Sequence, residues 1–189
     1  MLAAMLDGQI ALGSIRPLSR AEYDRMVDLG MFHDERIELL RGVLVEMSPI
    51  GWLHHEVVRW LTTKLIRQLD EPVVVSCQGP IAASDWSEPE PDIAVFLQDR
   101  GRRDHPSELL LVIEVADSSL HHDRTTKLTL YAESAIPEYW IIDLRTATVE
   151  VYTQPIGSTY AKVETFGDGA ILRPLLLPTV AIAVAELPR

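Results

Sequence analysis

The stretch Leu109–Val115, L-L-L-V-I-E-V, decides how the rest of the chain is read. It is an almost unbroken aliphatic run interrupted by a single carboxylate, Glu114, one place from its end. A run this short, apolar on both alternating faces, is a strand in the middle of a sheet covered on two sides. A carboxylate without a partner there would be costly to bury or would stay protonated, so a positive group is expected beside Glu114.

Downstream, Ser118 and Ser119 offer helix caps, and the composition from His121 to Ser134 is helical until Ile136-Pro137 stops it. Tyr139–Asp143 and Thr148–Tyr152 read as strands joined by a tight turn at Arg145 and Thr146. Strand, helix and strand in that order predict a right-handed crossover. It would leave Glu114 at a strand end, where α/β sheets usually place their ligands.

Upstream, D-I-A-V-F-L is a strand that begins with its acid, Asp92, directly after Pro91. The polar D-W-S-E-P-E-P before it is a loop, and Val73–Ser76 and Ile81–Ala83 are expected to be short strands. From Trp52 the residues Leu53, Val57, Leu61, Leu65 and Leu69 recur every fourth position, an amphipathic helix running to Leu69. R-I-E-L-L-R-G-V-L-V-E-M is a hairpin turning at Arg41-Gly42, with Glu38 on its first strand. Ser19 and Glu22 form a capping-box pattern that opens a helix from Arg20 to Leu29, closed by Gly30. The order gives an α/β fold, a mixed β-sheet flanked by helices, as a single domain over residues 1–189 with 1–18 as a flexible N-terminal segment.

Composition agrees with a soluble globular domain: 47% apolar and 24% charged residues over 189. The N-terminal segment lacks a basic start and meets Asp7 before an apolar core forms, so no secretory signal is read there. The apolar C-terminal stretch from Ile171 to Leu187 is broken by Pro174, Pro178 and Glu186, so no membrane span is expected and a cytoplasmic location follows. Cys77 is the only cysteine; it is expected to be a small buried residue, and a disulfide or thiolate cluster is excluded. The formal net charge of −11 argues against broad attraction to nucleic acid, so a polyanion would need a local basic patch or a bound cation.

Asp92 opening one strand and Glu114 closing another can converge if the strands are antiparallel neighbours, and two convergent carboxylates attract a hard divalent cation such as Mg²⁺. Asp123, Lys127 and Tyr131 share one helix face, from which the lysine could reach a water or a phosphate. The structural alternatives stand beside this. Asp92 can satisfy backbone donors at the start of its strand, Lys127 can be a solvated partner of Asp123, and Glu114 can pair with a structural arginine. His54 and His55 are not a zinc pair, because their i+4 neighbours are Val58 and Arg59. The loop R-G-R-R-D-H, with Arg100, Arg102 and Arg103, is the best basic candidate for a nucleic-acid backbone contact; diluted by Asp99 and Asp104, it also reads as a solvated turn.

The runs E-P-E-P-D-I-A-V, L-V-I-E-V-A-D-S-S, D-R-T-T-K-L-T-L-Y and I-P-E-Y-W-I-I-D, with the earlier E-L-L-R-G-V-L-V-E-M-S-P-I-G-W-L-H, resemble the Uma-type restriction endonucleases. That family is a branch of the PD-(D/E)XK nuclease superfamily, and the likeness covers Glu38 to Val151. It implies a restriction-endonuclease-like core in which Asp92 and Glu114 bind Mg²⁺ or Mn²⁺ and Lys127 is the catalytic lysine. In the wider superfamily the lysine follows the second acid by two places. Here that place is Ala116, whose backbone carbonyl could still face the metal, and the lysine has moved to the next helix. Asp117 stands where relatives usually have Ser, and Ala135 where they usually have Gly.

Glu38, His54, Asp123 and Tyr131 also match family positions. The resemblance offers Glu38 as a further metal-facing acid and His54 as a contact to phosphate or water; their structural alternatives are a partner for Arg41 and a solvent-facing ring. The expectation is a metal-dependent DNA endonuclease acting as a homodimer. Its rivals are a non-catalytic nuclease-like module that binds nucleic acid or protein, and a metal hydrolase of small phosphate esters.

Overall fold

The computed structural model describes residues 16–99, 101 and 104–189, which group into two compact units. The first comprises 16–47 with Ser84–Glu88. Its helix α1 (Arg20–Asp28) starts with the expected capping box: the Ser19 hydroxyl accepts the Glu22 N–H at 3.3 Å, and the Glu22 carboxylate accepts the Ser19 N–H at 3.0 Å. The hairpin of β1 (Ile37–Leu40) and β2 (Val43–Glu46) turns on Arg41 and Gly42 at φ 52° and 78°. Two successive positive φ values are what a two-residue hairpin with the native strand twist requires. Tyr23 ties the helix to the hairpin, its hydroxyl donating to the Ile37 carbonyl at 2.6 Å.

The second unit comprises Ser48–Ala83 and Pro89–Arg189. Helix α2 (Trp52–Gln68) leads into β3 (Val73–Cys77), β4 (Ile93–Leu97) and β5 (Leu109–Ala116). A helical crossover then delivers β6 (Glu138–Asp143), followed by β7 (Thr148–Ile156) and β8 (Thr159–Phe166). These strands form one six-stranded sheet in the order β3-β4-β5-β6-β7-β8. Only the β5–β6 pair is parallel; its neighbours are antiparallel, giving the mixed α/β sheet expected from the sequence. A short pair, β9 (Ile171–Leu172) with β10 (Ile182–Ala183), completes the chain.

β5 is buried on both faces, as its composition demands. On one side Leu111, Ile113 and Val115 pack with Val57, Val58, Leu61 and Leu65 of α2; on the other, Val112 and Ala116 pack with Tyr131, Ala132, Tyr139 and Ile141. Each fully buried aliphatic side chain contributes roughly 1.5–3 kcal/mol.

The crossover departs from the continuous α-helix that composition predicts. It begins as α3 (Leu120–His122), widens into a π-helical turn over Asp123–Lys127, and resumes as α4 (Leu128–Glu133). The Leu128 N–H reaches back five residues to the Asp123 carbonyl, which also accepts the Tyr139 hydroxyl at 3.2 Å. Such turns inside α-helices concentrate at functional sites. Ser119 occupies the N-cap position but caps nothing; its hydroxyl donates to Asp123 Oδ2 at 2.7 Å.

Two further expectations are corrected. Ile81–Ala83 forms no strand, because the Ile81 and Ala82 N–H groups go to the carbonyls of Pro89 and Pro106, residues with no N–H to return, and the Ala83 N–H turns back to the Ile81 carbonyl, so a ladder cannot propagate. Cys77, expected to be buried, is exposed at the end of the edge strand β3. Among the described residues no helix is long and apolar enough to cross a membrane.

Candidate active site

The antiparallel register of β4 and β5 sets Ile93 opposite Ile113, so one place further along it brings Asp92 opposite Glu114. Two crossed hydrogen bonds lock them. The Asp92 N–H donates to Glu114 Oε2 at 3.3 Å, and the Val115 N–H donates to Asp92 Oδ2 at 2.8 Å. Both acids are buried at the strand ends.

The positive neighbour expected beside Glu114 is Lys127. Its Nζ donates to Glu114 Oε1 at 3.0 Å, and the Tyr131 hydroxyl donates to the same oxygen at 2.6 Å. The π turn and α4 thus deliver a cation and a neutral donor to one carboxylate, and Lys127 is itself only 6% exposed. From the other helical layer His54, in the first turn of α2, places Nε2 2.8 Å from Asp92 Oδ1. His55, one position on, is exposed. The backbone of Asp92 also accepts the Gln78 N–H at 3.1 Å, and the Gln78 side-chain amide lies 3.5 Å from Asp92 Oδ1.

Charge in this site is unbalanced toward the negative. Burial pushes the Glu114 carboxyl up to about 8; the Lys127 ammonium opposes that, while Asp92 and Asp123 add to it. Burial likewise raises Asp123, with the Ser119 hydroxyl and Lys127 pulling the other way. Three buried acids therefore share one buried lysine and one histidine.

The structure brings Asp92, Glu114, Lys127, Tyr131 and His54 into one hydrogen-bonded group, with Asp123 at its edge. The Ala116 carbonyl accepts the Leu144 N–H at 3.0 Å, which leaves it one further lone pair. Glu38 is buried on β1 of the first unit. Arg100, Arg102 and Arg103 lie outside the described residues. Gln78 and the side chain of Ser119 are the participants that sequence reasoning missed. Neither had a local signal, since Gln78 enters through a left-handed backbone at φ 50° and Ser119 reads as an ordinary cap.

Chemically, the group offers carboxylate oxygens, a hard donor set suited to Mg²⁺ or Mn²⁺ rather than to a soft metal. A family model described as "Putative restriction endonuclease" (Uma2) matches residues 20–185. Among solved structures the chain is similar to one described as a putative nuclease belonging to DUF820 from Anabaena variabilis. The TM-score is 0.73 at 17% identity, covering 90% of this chain and 97% of that one, and this likeness establishes the shared fold. No curated protein sequence matches the chain.

Proposed function

The chain belongs to the Uma2 family of putative restriction endonucleases, and from that membership we propose that it is a divalent-metal-dependent endonuclease that hydrolyses phosphodiester bonds in DNA. The observation that carries this reading is the pairing of Asp92 with Glu114 at adjacent strand ends, with the Lys127 ammonium 3.0 Å from Glu114.

The residues present fit a cation. Among the described residues of the site the buried acids outnumber the buried basic groups, and burial, with Asp92 and Asp123 adding to it, keeps Glu114 largely protonated near neutrality despite Lys127. Asp92 and Glu114 would hold the ion. When bound, Mg²⁺ or Mn²⁺ supplies Lewis acidity toward a phosphate oxygen and a more acidic water.

The rest is the work of the chain. Tyr131 fixes the rotamer of Glu114, and His54 fixes that of Asp92, so both carboxylates are preorganised. Lys127, anchored on Glu114, donates to the negative charge that builds on the phosphate as the bond to the leaving oxygen breaks. Cutting both strands of a duplex takes two such sites, so the active species is proposed to be a homodimer working on cytoplasmic DNA.

The test is direct. Purified protein with Mg²⁺ or Mn²⁺ should nick or cut mixed DNA substrates, and Asp92→Ala should abolish this. If wild type and Asp92→Ala leave the same substrates equally intact across both metals, the catalytic reading fails. Tight DNA binding without any metal dependence would point instead to a non-catalytic module.

A further inference from the structure

Glu114, Ile141 and Glu150 lie in register across β5, β6 and β7, so the two acids project from the same face of the sheet about two strand spacings, ~10 Å, apart. Each is met by a cation from the same π turn. Lys127 takes Glu114, and Arg124 takes Glu150, its Nε lying 3.1 Å from each carboxylate oxygen and a terminal guanidinium nitrogen bonding Oε1. Tyr152 completes the second pair, donating its hydroxyl to Glu150 Oε2 at 2.6 Å. Between the two pairs Tyr139, also on this face, donates to the Asp123 carbonyl within the turn. Burial would lift Glu150, yet the Arg124 guanidinium and the Tyr152 hydroxyl hold it below its ordinary value.

We infer that Arg124 is a positioning residue: its fork on Glu150 straps the π turn to β7, and that strap sets where the Lys127 ammonium sits against Glu114. The inference rests on the nuclease reading only for its catalytic consequence. The geometry explains how a lysine absent from the β5 strand still reaches the β5 acid. A π turn is marginal on its own because its backbone geometry is poor, so side chains must hold it. Arg is suited to this because its rigid planar fork binds a carboxylate bidentately, which a lysine cannot do. Arg124 is half-exposed and its guanidinium is engaged by Glu150 on β7, three strands from β4, which Asp92 precedes, so it acts through Lys127 and not on a substrate.

The chain offers a clean readout, since it has three lysines, Lys64, Lys127 and Lys162, and only Lys127 is buried. Limited acetylation of the folded full-length protein, followed by peptide mass spectrometry, should modify Lys127 far more slowly than Lys64, which is partly exposed, and Lys162, which is exposed. In Arg124→Ala and Glu150→Gln the Lys127 rate should rise about tenfold, as expected when a local opening becomes easier, with Lys64 and Lys162 unchanged. Arg124→Lys should lie between them. In the cleavage assay the same variants should lose kcat with little change in KM.

If Arg124→Ala does not fold, Glu150→Gln and Tyr152→Phe decide, since each preserves shape and weakens the same strap. Lys127 remaining as protected as in wild type in the folded variants overturns the inference, as does a rise shared equally by all three lysines. The labelling needs no catalysis. A wild-type protein that does not cut DNA therefore sinks the nuclease reading and leaves this test intact.

Discussion

Asp92 and Glu114 close their strands on each other: the backbone N–H of Asp92 binds the Glu114 carboxylate at 3.3 Å, and the Asp92 carboxylate takes the N–H that follows Glu114 at 2.8 Å. The arrangement replaces the last rungs of an antiparallel ladder with side chains. It satisfies buried backbone donors and gathers two acids at one point, so structural and chemical duties fall on the same atoms.

Breaking the buried ion pair from one side should be severe. Above about pH 8, where Glu114 is ionised, Glu114→Gln removes the carboxylate that the buried Lys127 ammonium contacts at 3.0 Å, and the loss is expected to be about 3–5 kcal/mol. Glu114→Gln with Lys127→Met should be less destabilised than the sum of the two single variants by at least about 1 kcal/mol. Urea unfolding of the four proteins measures this. Strictly additive losses would mean that the pair is not a coupled unit.

Stability without divalent cations should fall as pH rises. Burial lifts the folded-state value of Glu114 from 4.5 to about 8, so the folded protein keeps a proton that the unfolded chain releases. The resulting stabilisation is complete below about pH 4.5 and is lost as pH rises toward 8, with a slope of up to about 1.4 kcal/mol per pH unit from this group. Unfolding midpoints in EDTA across that window should show the decline in wild type and a flatter profile in Glu114→Gln. Equal slopes in the two proteins would refute the assignment to Glu114.

What the sequence made legible was whatever its local chemistry specifies. L-L-L-V-I-E-V could only be a central strand, Ser19 and Glu22 could only begin a helix efficiently, and Arg41-Gly42 suited a tight hairpin turn. The Asp92–Glu114 pairing became readable once two acids were seen at strand ends, although it needed β4 and β5 to be antiparallel neighbours. His54 meeting Asp92 across 38 positions was beyond local reasoning, because two layers of the fold bring them together. The π turn was equally hidden, since its residues are those of an α-helix and tertiary bonds from Tyr139 and Glu150 accompany the wider winding. Cys77 was misjudged from residue type alone, when its place at the end of an edge strand decided its exposure.

Gly42→Ala should destabilise the hairpin unit far more than an ordinary glycine replacement. Gly42 sits at φ 78°, and a Cβ built there would lie 2.3 Å from the Pro17 Cβ and 2.9 Å from its Cα. The left-handed backbone alone costs about 1 kcal/mol for a residue with a Cβ, and the clash with proline backbone adds to it. Gly30→Ala supplies the control, being also left-handed at φ 72° with nothing near the added atom. Thermal melts should show a clearly larger loss at position 42. Equal losses would remove the close approach from the explanation.

His54 and His55 are adjacent residues of one type and opposite in the structure, which makes them a matched pair. His54 holds Asp92 Oδ1 at 2.8 Å, whereas the side chain of His55 is 64% exposed. Removing a partner that orients a metal-facing carboxylate typically lowers metal affinity or activity about 10–100-fold. His54→Ala is expected to weaken Mg²⁺ binding in calorimetric titration and to lower kcat within that range. His54→Gln, which keeps a donor near Asp92, should recover part of both. His55→Ala should match wild type in both measurements. An equal effect from the two alanine variants would show that the helix start, and not the His54–Asp92 contact, governs the site.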